Sequence, residues 1–152
     1  MKKMLFALAL VLVSLTALAC EKYEDGRPPK VVREHFSKMY PEAKDVEWEV
    51  EKGYWKVSFE TGTGVSRVES DAWYEDNGTW VRTETETSPS SLPEEIKTIL
   101  NTSEYASAMI DDVKFVQTPE GDFYQFELMV AGASIYVNVY NDGRIIPVKF
   151  EW

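Results

Sequence analysis

The residues able to do chemistry are few, and their spacing excludes most reactions. His35 is the only histidine of the chain, so any Ser/His/Asp device would have to use it. Its place beside Phe36, on a helix-like stretch, suits packing better than proton transfer. With one histidine and one cysteine, Cys20, no zinc-binding spacing exists. Asp76-Asn77-Gly78 and Asn141-Asp142-Gly143 offer turn oxygens that superficially suggest calcium. Neither carries the alternating acidic ligands of a calcium loop, and hairpin turns needing a residue at positive φ explain both. Glu84 and Glu86 could do acid–base work, but two residues apart they share one face of an extended strand, where solvated charge is expected. No catalytic group, metal or cofactor is implied.

The elements that would hold such residues begin after a leader. Lys2 and Lys3 precede an apolar run from Leu5 to Leu18, a pattern of export rather than of a membrane span. Leu15-Thr16-Ala17-Leu18-Ala19-Cys20 resembles a bacterial lipobox, which implies that Cys20 becomes the lipidated first residue of the mature chain. Ordinary cleavage after Ala19, leaving one free thiol, is the alternative. Residues 1–19 are therefore read as signal peptide, 20–27 as lipid anchor and tether, and 28–152 as one domain. The expected location is the periplasm or the surface of a bacterial envelope membrane, reached through the lipid alone.

Charge narrows the partners. Loss of residues 1–19 removes two lysines and no acids, leaving 14 basic against 26 acidic residues, a formal charge of −12. Nucleic acid, which needs a basic footprint, is excluded.

Within the domain one unit is written twice, over 28–90 and 91–152. An amphipathic helix from Pro29 to Tyr40, with Val32, Phe36, Met39 and Tyr40 on one stripe, is followed by alternating strands at 46–50, 54–60, 65–74 and 79–87. Ser91 and Glu94 fit a capping box opening a second helix with Ile96, Ile99 and Leu100 inward. Strands at 113–116, 123–130, 133–140 and 145–152 complete the copy. The expected fold is α+β, two tandem helix-plus-antiparallel-strand repeats forming one curved sheet of about seven or eight strands with both helices on one face. Trp48, Trp55, Val57, Phe59, Tyr74, Tyr124, Phe126, Leu128, Ile135, Val137 and Val139 are the inward set.

Strand parity then leaves Tyr54, Lys56, Trp73, Phe123, Gln125, Tyr136, Asn138 and Tyr140 on the open face, aromatic rings interleaved with polar groups. Such a surface suits a protein partner. Rings that stack on a glycan or small ligand, an acidic rim that holds divalent cations, and rings that merely cover the sheet are the other readings.

The chain resembles the PepSY-like periplasmic proteins related in fold to the beta-lactamase inhibitor protein. The likeness is carried by Tyr40-Pro41-Glu42-Ala43, by Tyr74-Glu75-Asp76-Asn77-Gly78-Thr79-Trp80, by Thr83-Glu84-Thr85-Glu86 and by Leu92-Pro93. It implies tandem repeats, an envelope location, no catalysis, and a concave sheet face that binds, in the manner of an inhibitor or of a domain that restrains a peptidase. Tyr105-Ala106-Ser107-Ala108 departs from the pattern, lacking the proline that follows the first helix.

Overall fold

The structure, a computed structural model, describes residues 27–149; the leader, Cys20 and the last three residues lie outside that range. Helix α1 covers Lys30–Met39, and strands β1 (Lys44–Glu51), β2 (Tyr54–Thr61), β3 (Val68–Tyr74) and β4 (Trp80–Glu86) follow. Helix α2 covers Glu94–Asn101 and leads into β5 (Met109–Gln117), β6 (Phe123–Val130), β7 (Ala133–Val139) and β8 (Ile145–Val148). The eight strands form one antiparallel sheet in chain order. Both helices lie on one side of it.

Pro29 donates no N–H and stands just before α1, where its carbonyl accepts from Arg33 N at 3.2 Å. Val32 and Phe36 are buried against Trp48, Val57, Phe59, Ala72 and Tyr74. On the second half, Leu92, Ile96 and Leu100 are buried against Val113, Phe126, Leu128, Val137 and Val139. The inward set expected from alternation all lies on this side, with Trp55, Tyr124 and Ile135 at its margins. These two clusters are the main stabilising layer, at about 25 cal/mol per Å² of apolar surface removed from water.

Several expectations are corrected. The capping box does not form: Pro93 stands at the helix cap, and Ser91 closes a 3-10 turn in which its hydroxyl meets Ser88 Oγ at 2.7 Å. Leu92-Pro93 intervenes, so Ser91 is two residues too early. The strand expected from Val65 starts at Val68, because Gly64–Ser66 forms a 3-10 turn. Strand β5 begins four residues earlier than its alternation suggested, since a register shift between Ile110 and Asp112 breaks the pattern there. Where the second helix lacks a proline stop, the Thr102 and Ser103 hydroxyls donate to the carbonyls of Thr98 and Leu100 at 2.8 and 2.7 Å. Those side chains end the helix instead.

Gly78 shows why the third turn is spelled as it is. Its φ is +89°, and a Cβ added there would come within 2.8 Å of Val31 Cγ2 and 3.3 Å of the Val31 backbone. The turn lies directly under α1. His35 Nδ1 donates to Gly78 O at 2.7 Å while its ring meets the edge of Tyr74, so the single histidine ties α1 to the β3–β4 turn. It sits on the helix-covered side and is structural.

Candidate functional site: the open face of the sheet

Two hairpins keep the parity of the strands they join, because Lys52-Gly53 and Ala131-Gly132 both take positive φ in two-residue turns. Register then sets the open face row by row. One row runs Glu49, Lys56, Trp73 and Arg82, and the next runs Ser58, Asp71, Glu84, Val116 and Phe123. A third runs Glu86, Lys114, Gln125, Asn138 and Ile146, with Glu127, Tyr136 and Val148 beyond it. All the strand residues of the expected open-face set stand on these rows or beside them. Tyr140 lies just past β7, its ring 5.2 Å from that of Phe123.

The face is less open than its name suggests. Trp73 is only 7% exposed, because the Arg82 guanidinium lies 4.2 Å above its ring and its Nε1 donates to Glu51 Oε2 at 3.0 Å. Arg82 in turn pairs with Glu84 at 2.9 Å, and Lys114 reaches the other Glu84 oxygen at 3.5 Å. Glu84 is therefore a buried, paired carboxylate and not the solvated one its sequence position suggests. Its strand is interior to the sheet, so a residue facing away from the helices is still shielded by side chains of the strands on either side. Tyr54, Phe123, Tyr136 and Tyr140 are the half-buried rings left around this network.

Lys56 sits among Glu49 at 3.1 Å, Asp71 at 3.4 Å and Glu51 at 4.0 Å. Burial alone would lower its pKa, but the hydrogen bond to Glu49 and the fields of the three carboxylates outweigh it, so the ammonium is held above its ordinary value. One ammonium here faces three carboxylates, so the cluster stays net negative.

Two of the cavities on this side bear on the site. One of about 370 Å³ is lined by Asp45, Glu47, Glu60, Glu69, Asp71 and Glu86 among others, with Lys114 at its edge. The second, of about 430 Å³, lies where β4 and β5 diverge, between Trp80 and Arg82 on one side and Val116 and Phe123 on the other. Glu84 lines both.

Several of the turn oxygens already accept hydrogen bonds. Asp76 Oδ1 accepts from Trp55 Nε1 at 2.7 Å, and Asn77 Oδ1 from Thr79 N at 2.7 Å. Asp142 accepts from the backbone N and Nε of Arg144, hydrogen bonds that hold its pKa below the ordinary carboxylate value. Among the described residues no group of three His, Cys, Asp or Glu side chains is placed to hold a metal ion.

Sequence reasoning missed Arg82, Lys114 and Val116 as members of this face. Arg82 could have been found from its spacing of two to Glu84. Val116 could not, since its burial depends on β5 pairing with β4 and β6 at once.

The profile of the PepSY-like family, described as beta-lactamase-inhibitor-like, matches residues 53–146. No curated protein matches the chain. A BLIP-like protein from Bacteroides fragilis is similar in structure, with a TM-score of 0.74, 22% identity and coverage of 85% of this chain and 95% of that one. A Bacteroides eggerthii protein described provisionally as periplasmic gives 0.67, 20% identity and coverage of 80% and 90%. A DUF2874 family protein from Bacteroides ovatus gives 0.70, 22% identity and coverage of 80% and 89%. Likenesses at this identity concern the fold.

Proposed function

This chain belongs to the beta-lactamase-inhibitor-like PepSY-like family, and from that premise we propose that it is a non-catalytic module tethered at a bacterial envelope. Through the open sheet face it binds a protein partner, a hydrolase or peptidase that it restrains. The carrying observation is that, among the described residues, no helix covers one side of the eight-stranded sheet, and that this side presents half-buried aromatic rings around a paired charge network. Aromatic anchors beside a polar, water-excluding surround are the composition that interfaces favour.

The leader, the acylation site at Cys20 and the tether over 20–27 support the location, with the 28–152 domain standing off the membrane. Among the described residues no helix is long and apolar enough to cross a membrane. Cys20→Ala is expected to release the protein from the membrane fraction, and retention there would contradict lipidation.

Simultaneous Tyr54→Ala, Tyr136→Ala and Tyr140→Ala is expected to abolish capture of an envelope partner while leaving the thermal unfolding transition within a few degrees of wild type. Unchanged capture would overturn the reading. The acidic cavity favours a second reading, a periplasmic small-ligand, glycan or divalent-cation binder. Calorimetry with calcium decides for the cation, and absence of heat at millimolar calcium removes it.

A further inference from the structure

We infer that the cleft where β4 and β5 diverge takes an extended, basic segment of the protein partner, pairing the N–H and C=O of one of its residues with Gln125 and Asn138. This deepens the open-face reading and rests on it.

Strands β4 and β5 pair over only four residues each, from Thr83 opposite Gln117 to Glu86 opposite Lys114. Beyond Thr83 a register shift in β4 turns its chain toward Trp80, while β5 leaves through Thr118-Pro119. The gap is a cavity of about 430 Å³, within the range of about 300–1,000 Å³ that ligand pockets occupy. Its walls are apolar where Val116, Phe123 and Val148 meet.

Two amides also line it. Gln125 and Asn138 are 7% and 9% exposed, and Gln125 Nε2 donates to Asn138 Oδ1 at 3.0 Å. The Asn138 NH2 and the Gln125 carbonyl make no other hydrogen bond among the described residues. Exchanging the orientation of both amides leaves the same balance, donors on one side and an acceptor on the other. Neither free end is a buried atom without a partner, so both reach the solvent of the cleft, where a ligand's polar groups can take the place of water.

One residue of an extended chain fits there: its C=O accepts from one amide while its own N–H, which points the same way, donates to the other. Extended chain is the conformation that exposes both groups at once and sends alternate side chains into the apolar walls. The rim selects by charge. Glu75 and Glu120 line the cleft as exposed carboxylates, while Arg82 and Glu84 there pair with each other. A segment with an apolar residue flanked by lysine or arginine meets both demands.

The probe is the capped peptide acetyl-Lys-Leu-Lys-amide, titrated into the ¹⁵N-labelled domain, with acetyl-Glu-Leu-Glu-amide and acetyl-Lys-Ser-Lys-amide as comparisons. The first is expected to shift the Gln125 and Asn138 side-chain amide resonances saturably at millimolar concentration, and the other two to bind roughly tenfold more weakly or less. Gln125→Ala with Asn138→Ala should weaken the first peptide by a similar factor. Absence of amide shifts in the wild type, or equal binding of all three peptides, overturns the inference without any variant having to fold. Partner capture that depends on Tyr54, Tyr136 and Tyr140 but survives Gln125→Ala with Asn138→Ala would overturn this inference and leave the open-face reading standing.

Discussion

The two sides of the sheet are made from alternate residues of the same strands, yet they reach burial by different means. On the helix-covered side Val57, Phe126 and Leu128 vanish beneath α1 and α2, and the Trp80 and Tyr40 polar groups meet at Thr83 Oγ1, 3.0 and 2.6 Å away. On the other side neither α1 nor α2 helps. Trp73, Arg82, Glu84, Gln125 and Asn138 are nonetheless at most 9% exposed, because neighbouring side chains cover one another. Apolar burial is non-directional and adds up with area, whereas paired charges recover little beyond the cost of drying them. The helix side should therefore hold the fold together, and the open side should be the one that can exchange its own contacts for a partner's at modest cost.

Variants can break that contrast, and the largest effect belongs to the helix side. Phe126→Ala should cost about 3–5 kcal/mol by urea unfolding, the usual range for emptying a packed aromatic site. Arg82→Ala comes next at about 2–3 kcal/mol, less than a lone buried pair would lose because Lys114 still reaches Glu84. A loss matching that of Phe126→Ala would mean that the open face is a second core. Gly78→Ala should cost about 1–3 kcal/mol, combining positive φ with the clash against Val31.

A smaller effect comes with alkali. Burial raises the pKa of Tyr74, with the Tyr40 charge adding to it, and burial raises that of Tyr40 against the opposing hydrogen bond from Thr83. Unfolded phenols ionise near pH 10. Folded values above that mean the stability tied to these phenols is complete below about pH 10 and is lost as pH rises toward their folded pKa values. Tyr74→Phe should narrow the gap between denaturant midpoints measured at about pH 8 and about pH 11. An unchanged gap would remove Tyr74 from the helix-side ledger.

Much of the fold was legible because period-two alternation survives wherever turns preserve parity. The inner set and the outer set of side chains both follow from counting across Lys52-Gly53 and Ala131-Gly132. Legibility fails where a neighbour decides. Glu84 reads as solvated until β5 brings Lys114 beside it, and Ser91 reads as a cap until Pro93 takes the position. The cleft lies further out of reach, since it exists only because β4 and β5 part after four pairs. Gln125 and Asn138 were named from parity alone; that they bond one another emerges from the β6–β7 register.

The claim that function resides on the uncovered side can be tested in cells by placing a photo-cross-linking residue at Tyr54 or Tyr136 and, separately, at the exposed α1 positions Glu34 and Lys38. Covalent adducts with an envelope protein from the sheet positions, and none from α1, are the predicted result. Adducts from α1 with none from the sheet would contradict it.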